Sequence, residues 1–357
     1  MRRKNYLVYG LCFAVVGGIW MTHVVQGKNL YSSEMVMAQE ALKMAFAKME
    51  LPKGDPNLLV LTNGGYGQIG RQSTEPFLDI AQTVTGASLG TRSLLPVHSS
   101  VNTPLWCSLF RKDTGRLIFL KWEGQQFVQQ EVEASPEKIL TPEAWKAAAA
   151  GPIGPFLFSV VSISLTWTVE PPWPLVLAAT YHDHFCPGVN SGYIVAEYCH
   201  EKLPLRAGDQ YIFVAAPGKC AADALQVIFN TTPGKTSGYA MDIAPAALAK
   251  YEQNKVLPMV VAMRVNRKAD TCEGAVIGFD WNKAYRDTGV KAEEMAPPGG
   301  ARDPMFWIAR VKMSRELARL SKTSLLGYLA EMKRFSGKTR LAEQVAAGDP
   351  YGVLWNQ

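Results

Sequence analysis

Tyr181-His182-Asp183-His184-Phe185-Cys186-Pro187-Gly188 is the stretch on which the reading of this 357-residue chain turns. Two of the chain's five histidines sit here, within four residues of a cysteine. Imidazole and thiolate are the donor types that zinc and its neighbours take. An extended backbone sends alternate side chains to the same side, so His182, His184 and Cys186 are expected to converge. Proline suits the first position of a helix, and the spacing predicts a helix over 187–200. Cys186 then lies at or beside a helix N-terminus, where free amides and the macrodipole lower a thiol pKa. Gly188 and Gly192 leave that helix a smooth face, open to close approach by another backbone or a ligand.

Outward from this stretch, 210–216 reads as a strand, 221–229 as a helix beginning just after Cys220, and 256–264 as a strand. Upstream, 156–169 reads as a strand that ends at Pro171-Pro172-Trp173-Pro174. Nearer the start, 31–48 has the apolar spacing of an amphipathic helix and 57–62 that of a buried strand. A second helix is expected over 73–84, with strands at 105–110 and 117–122 around the Asp113-Thr114-Gly115 turn. The tail over 303–338 is expected to be helical, with Leu317, Leu320, Leu325, Leu329 and Met332 as its apolar stripe and Ser324 as an internal cap. Helices and strands that mix without strict alternation indicate the α+β class, with mixed sheets packed by helices.

A weak internal repeat suggests how these elements group. Cys220-Ala221-Ala222-Asp223-Ala224-Leu225 followed by Thr231-Thr232-Pro233-Gly234-Lys235 parallels Ser73-Thr74-Glu75-Pro76-Phe77-Leu78 followed by Thr85-Gly86. Each copy runs strand, loop, short helix, Thr/Gly turn, strand. The expectation is two related, α/β-sandwich-like halves. Ser73 would take the place of Cys220 in a degenerate first half. The alanine-rich 146–155 marks the boundary, giving a leader at 1–27, a first domain at 28–150, a site-bearing domain at 151–302 and a tail at 303–357.

The cluster also resembles the formylmethanofuran dehydrogenase E-subunit family, whose hallmark is Phe-His-Gly-His-x-Cys-Pro-Gly followed by Gly-Tyr. Here Tyr181 stands for Phe, Asp183 for the middle Gly, and Gly192-Tyr193 follows. The family's second element, Cys-x-x-Asp-Ala-Ile-Gln and then Thr-x-Gly-Lys, is matched by Cys220, Asp223, Ala224, Leu225, Gln226, Thr232, Gly234 and Lys235. The resemblance implies an α+β domain with a groove, metal binding through the His/Cys cluster, and commonly a homodimer. It assigns ligation to His184, Cys186 and Cys220, with His182 as a fourth ligand or an orienting residue. Asp183 and Asp223 become candidates to orient an imidazole or act as general base, with Cys186 a third catalytic candidate. Gln226, Thr232 and Lys235 become candidates to hold a small polar or anionic ligand. The family's C-terminal zinc-ribbon cysteines are missing, since only Cys272 follows Cys220. The resemblance therefore carries fold and site further than it carries a reaction.

Composition sets the surroundings. Arg2, Arg3 and Lys4 precede an apolar run to about Trp20 and then Val25-Gln26-Gly27, the layout of a secretory signal. The expected location is periplasmic or otherwise extracytoplasmic, with an uncleaved anchor left open. No later segment is apolar enough to span a bilayer. Removing those three basic residues from 37 leaves 34 against 31 acidic ones, about +3 in place of +6. With no clustered Lys/Arg, nucleic acid is not an expected partner. Five cysteines remain: Cys107, Cys186, Cys199, Cys220 and Cys272. An odd number in an oxidising compartment leaves a thiol for a metal, and a Cys199–Cys272 disulfide is one expected pairing. His98, His200 and Cys199 are expected to pack or cap. Gly65-x-Gly67-x-x-Gly70 lacks the acidic residue a dinucleotide site needs about 20 positions on.

The expected function is therefore an exported metal-binding protein, zinc foremost, that takes a small polar ligand. A metal-dependent enzyme acting on a small substrate and a thiol redox protein using Cys186 and Cys220 are the alternatives.

Overall fold

The computed structural model describes residues 32–356, so the expected leader at 1–27 lies outside the described residues. Helix α1 (Ser33–Met49) starts where the Ser32 hydroxyl accepts from the Met35 amide at 3.2 Å. It leads into β1 (Leu58–Thr62), buried along its whole length. Helix α2 (Pro76–Thr85) then connects β1 to its parallel neighbour β2 (Leu94–Pro96). Strands β3 (Trp106–Arg111), β4 (Arg116–Glu123) and β5 (Gln126–Glu133) follow antiparallel, in sheet order β2-β1-β3-β4-β5.

Side-chain alternation divides this sheet between two cores. Leu58 and Val60 face α1 and α2, among Met35, Leu42, Phe77 and Ile80. Leu59 and Leu61 face the other way, with Trp106, Phe110 and Phe119, toward helices from the rest of the chain. The central strand therefore reads as continuously apolar.

Helices α3 (Leu157–Trp167), α4 (Trp173–Tyr181) and α5 (Pro187–Lys202) come next. Then β6 (Gln210–Ala215), α6 (Cys220–Phe229), β7 (Gly238–Ala240), β8 (Pro258–Asn266) and β9 (Thr271–Phe279) build a second sheet. Helix α7 (Pro304–Ala318) packs back on α3 before β10 (Leu329–Gly337) closes the sheet on β9. Helices α8 (Thr339–Ala347) and α9 (Pro350–Trp355) cover one face, while α5 and α6 cover the other. The second order, β7-β6-β8-β9-β10, repeats the first strand for strand, with one parallel pair and three antiparallel ones. The architecture is α+β, two mixed sheets packed with helices.

Four local expectations are corrected. The stretch 156–169 holds a helix, Leu157–Trp167, not a strand: Val160, Val161, Ile163 and Leu165 are all buried, and an element covered on nearly every side shows no period to read. The tail is helical only in part, since Leu329–Gly337 is an edge strand and Leu329 and Met332 belong to it. The second helix begins at Pro76; Ser73 sits three residues ahead of it in a small hairpin, so Ser73 does not hold the place of Cys220 at a helix start. The Cys199–Cys272 disulfide is absent. Cys199 is buried on the α5 face of the second sheet and Cys272 on the α8 face, and both are free. One apolar core runs from Leu59 and Trp106 through Ala148, Ile153 and Leu157 to Ile308 and Leu317, and so holds residues from either side of positions 150 and 302.

Candidate metal centre

The cluster lies in a turn between two helices. His182 caps the C-terminus of α4, its amide bonded to the Ala178 carbonyl at 2.9 Å. Asp183 takes a left-handed backbone, φ +68°, a conformation that favours glycine and tolerates aspartate better than most residues. The chain then plunges inward. Phe185 is fully buried, and its amide is bonded to the Ser162 hydroxyl of α3 at 3.1 Å. Cys186 precedes the first residue of α5, and Cys220 is the first residue of α6. The Gly188 and Val189 amides at the start of α5 face the Cys186 sulfur, where a helix N-terminus favours negative charge.

Glycine makes that convergence feasible. A Cβ at Gly188 would stand 2.8 Å from the Cys220 Cβ, and one at Gly192 would stand 2.6 Å from the Ala224 Cβ and 2.8 Å from the Ala221 carbonyl oxygen. The smooth face read from the sequence is therefore the crossing of α5 over α6.

Donor atoms of His182, Cys186 and Cys220 all lie within 4.8 Å of one another. The Nδ1 of His182 is bonded to the Asp223 carboxylate at 2.7 Å, while its Nε2 is buried with no hydrogen-bond partner. The His184 ring stands 4.4 Å from that of His182, and its Nδ1 is bonded to Asp183 at 2.5 Å. Each histidine thus has its own carboxylate, the arrangement that fixes ring orientation when the other nitrogen binds a metal.

The electrostatics suit a cation. The Cys186 and Cys220 sulfurs lie within 4.8 Å of each other; their proximity pushes Cys186 up, while Cys220, with His182 beside it, is held well below its ordinary value. Burial opposes charge on His182, but the Asp223 carboxylate and the Cys220 sulfur outweigh it and push the ring up to about 10. Burial also lowers Arg310 of α7, and the charges of the two sulfurs act against that. By contrast, burial alone raises Cys199 to about 12 and is the main cause that raises Cys272, to about 11, which marks them as inert packing thiols. An orphaned imidazole nitrogen and a thiolate in a pocket closed by a second thiol fit a transition metal.

Aromatic rings close one side. Phe158 lies 4.7 Å from the His184 ring and 4.8 Å from Trp307. The other side opens into a polar cleft of about 280 Å³ that His98 of the first half helps to line. Of the expected ligand contacts, Gln226 donates to the Tyr181 hydroxyl at 2.5 Å. Thr232 and Lys235 lie in a short turn, where the Lys235 amine donates to the Asn230 carbonyl, and neither lines the cleft. His200 packs at a tilt against Phe229, ring centroids 5.2 Å apart. His98 and Arg310 could not be tied to the cluster by spacing, because they lie 84 and 128 residues from His182 in opposite directions.

Residues 181–294 match the model of the family described as FmdE, Molybdenum formylmethanofuran dehydrogenase operon. The match starts on the first residue of the cluster, takes in Cys220 and the strands behind it, and makes this stretch an FmdE-like domain. No curated protein matches the chain.

Proposed function

We propose that the chain is an exported zinc-binding protein that presents its metal to a small polar ligand in the adjacent cleft. The observation that carries this is the buried, unpartnered Nε2 of His182 facing two cysteine sulfurs. A buried imidazole nitrogen left without a partner costs about 1–3 kcal/mol, and a metal relieves that cost directly. His182, Cys186 and Cys220 would hold the ion, with His184 next to them as a fourth donor. When bound, zinc supplies Lewis-acid character to a polar group beside it. Asp223 and Asp183 orient the two rings, Phe158 and Trp307 keep water from the aromatic side, and Arg310 offsets negative charge on sulfur.

Elemental analysis of the purified protein tests this reading. About one transition-metal ion per chain is expected, lost in Cys186→Ser and Cys220→Ser and kept in His200→Ala. Absence of metal from protein purified without chelator would sink it. A second reading rests on the closeness of the two thiols, whose sulfurs lie within 4.8 Å of each other. Cys186 and Cys220 could form a disulfide, passing two electrons and two protons to an oxidised dithiol partner. One bound ion per chain, with both thiols titrating only after its removal, would decide against that alternative.

A further inference from the structure

The cleft beside the metal centre is built by both halves of the molecule. His98, Ser99 and Ser100 come from the loop after β2, and Tyr181, Asp183 and Asp223 from the FmdE-like domain. The loop is tied down: the His98 amide bonds to the Thr180 carbonyl at 2.8 Å, and the Ser99 hydroxyl accepts from the Asn63 amide group at 3.3 Å. The His98 ring stacks on Tyr181 at 5.2 Å and meets Tyr66 edge-on at 4.9 Å. The first half thus lends an aromatic and hydroxyl-bearing wall to a site whose metal donors all lie in the second.

The lining dictates what the cleft can take. No lysine or arginine lines it, and two half-exposed carboxylates do. Asp183 binds His184 through Oδ1 and Asp223 binds His182 through Oδ2, so each keeps its second oxygen for a ligand. The Tyr181 hydroxyl accepts from Gln226 and keeps its own proton to donate. Carboxylate acceptors, serine hydroxyls and an aromatic edge suit a molecule rich in hydroxyl donors and repel an anion. The volume falls just below the roughly 300–1,000 Å³ of pockets for drug-sized ligands. We infer that this cleft seats a small, polyhydroxylated molecule of monosaccharide size that carries no negative charge, with His98 as a specificity-determining residue supplied by the first half.

The inference deepens the metal-centre reading but is separable from it. The test uses matched probes on the full chain, titrated calorimetrically in metal-loaded and metal-free form: D-glucose, D-glucosamine and D-glucuronate. D-glucose is expected to bind, D-glucuronate at least tenfold more weakly, and His98→Ala to weaken D-glucose about tenfold with metal content unchanged. His98→Tyr, which keeps a ring against Tyr181, is expected to restore part of the loss. Equal or tighter binding of the glucuronate, weaker binding of the glucosamine than of D-glucose, no binding of D-glucose, or indifference to His98→Ala would overturn the inference. Missing metal alone would count against the metal centre, and D-glucose titration of that same protein would still decide the cleft.

Discussion

Asp223 shows how much one side chain decides here. Its carboxylate holds the Nδ1 of His182, which turns Nε2 toward the sulfurs. Asp223→Asn keeps the volume but removes the charged acceptor, so metal affinity is expected to fall about 10–100-fold, the usual effect of losing such a partner. Competition with a chromophoric chelator reads it, and unchanged affinity would show that the ring is oriented by packing alone. Gly192 is decided by space. Alanine there gains up to about 1 kcal/mol of helix propensity but drives a methyl into Ala224 and the Ala221 carbonyl. Overpacking costs about 1–3 kcal/mol, so Gly192→Ala is expected to lower stability to denaturant, while Gly234→Ala, with open space around it, is expected to be near neutral. The donor residues were legible because few histidines and cysteines exist and they cluster. Their geometry was not, because alternation presumes an extended strand, whereas the segment turns through a left-handed Asp183.

At the scale of elements, the second sheet is pinned to the loop before it by Arg264 of β8, whose side chain is 6% exposed. Its guanidinium donates to the Pro204 carbonyl at 2.6 Å and to Glu273 at 2.5 Å, with Asp209 at 3.4 Å. Burial would raise the Asp209 carboxyl, but Asn266, the Arg206 amide and Arg264 outweigh it and hold it below the usual range. A carboxyl depressed in the folded state stabilises above its unfolded pKa of about 3.9 and loses that contribution as pH falls through the folded value. Asp209→Asn is therefore expected to cost about 1–2 kcal/mol at pH 7, with the gap from wild type closing below about pH 4; urea titrations across pH read it, and a gap independent of pH would implicate packing instead. The elements the sequence misplaced were those with one-sided or all-round surroundings. Helix α3 is buried on nearly every side, serines and Thr166 included, and β10 pairs only with β9 and carries Glu331, Lys333 and Arg334, so neither displays its own period.

At the scale of the molecule, two sheets of one topology look like separable modules, and the packing says otherwise. The back of the first sheet is covered by α3 and α7 rather than by its own helices. Phe156, just ahead of α3, meets Trp106 at a tilt at 5.6 Å and stacks on Phe119 at 5.7 Å, and those two rings lie 5.9 Å apart. Such aromatic pairs add about 0.5–1.5 kcal/mol each beyond the area they bury. From the shared core, folding of the FmdE-like domain is expected to depend on the first half, whatever that half contributes to the cleft. Residues 151–357 expressed alone would expose the faces of α3 and α7 that Leu59, Leu61 and Phe110 now cover. That fragment is expected to bind a hydrophobic dye, to lack a cooperative thermal transition and to hold no metal. Phe156→Ala in the full chain offers a milder cut, expected to cost about 3 kcal/mol, the low end for a core phenylalanine because Phe156 is only partly buried, while leaving every candidate metal donor in place. If the fragment instead melts cooperatively and binds one ion per chain, the two halves are independent folding units, and the shared core is contact without dependence.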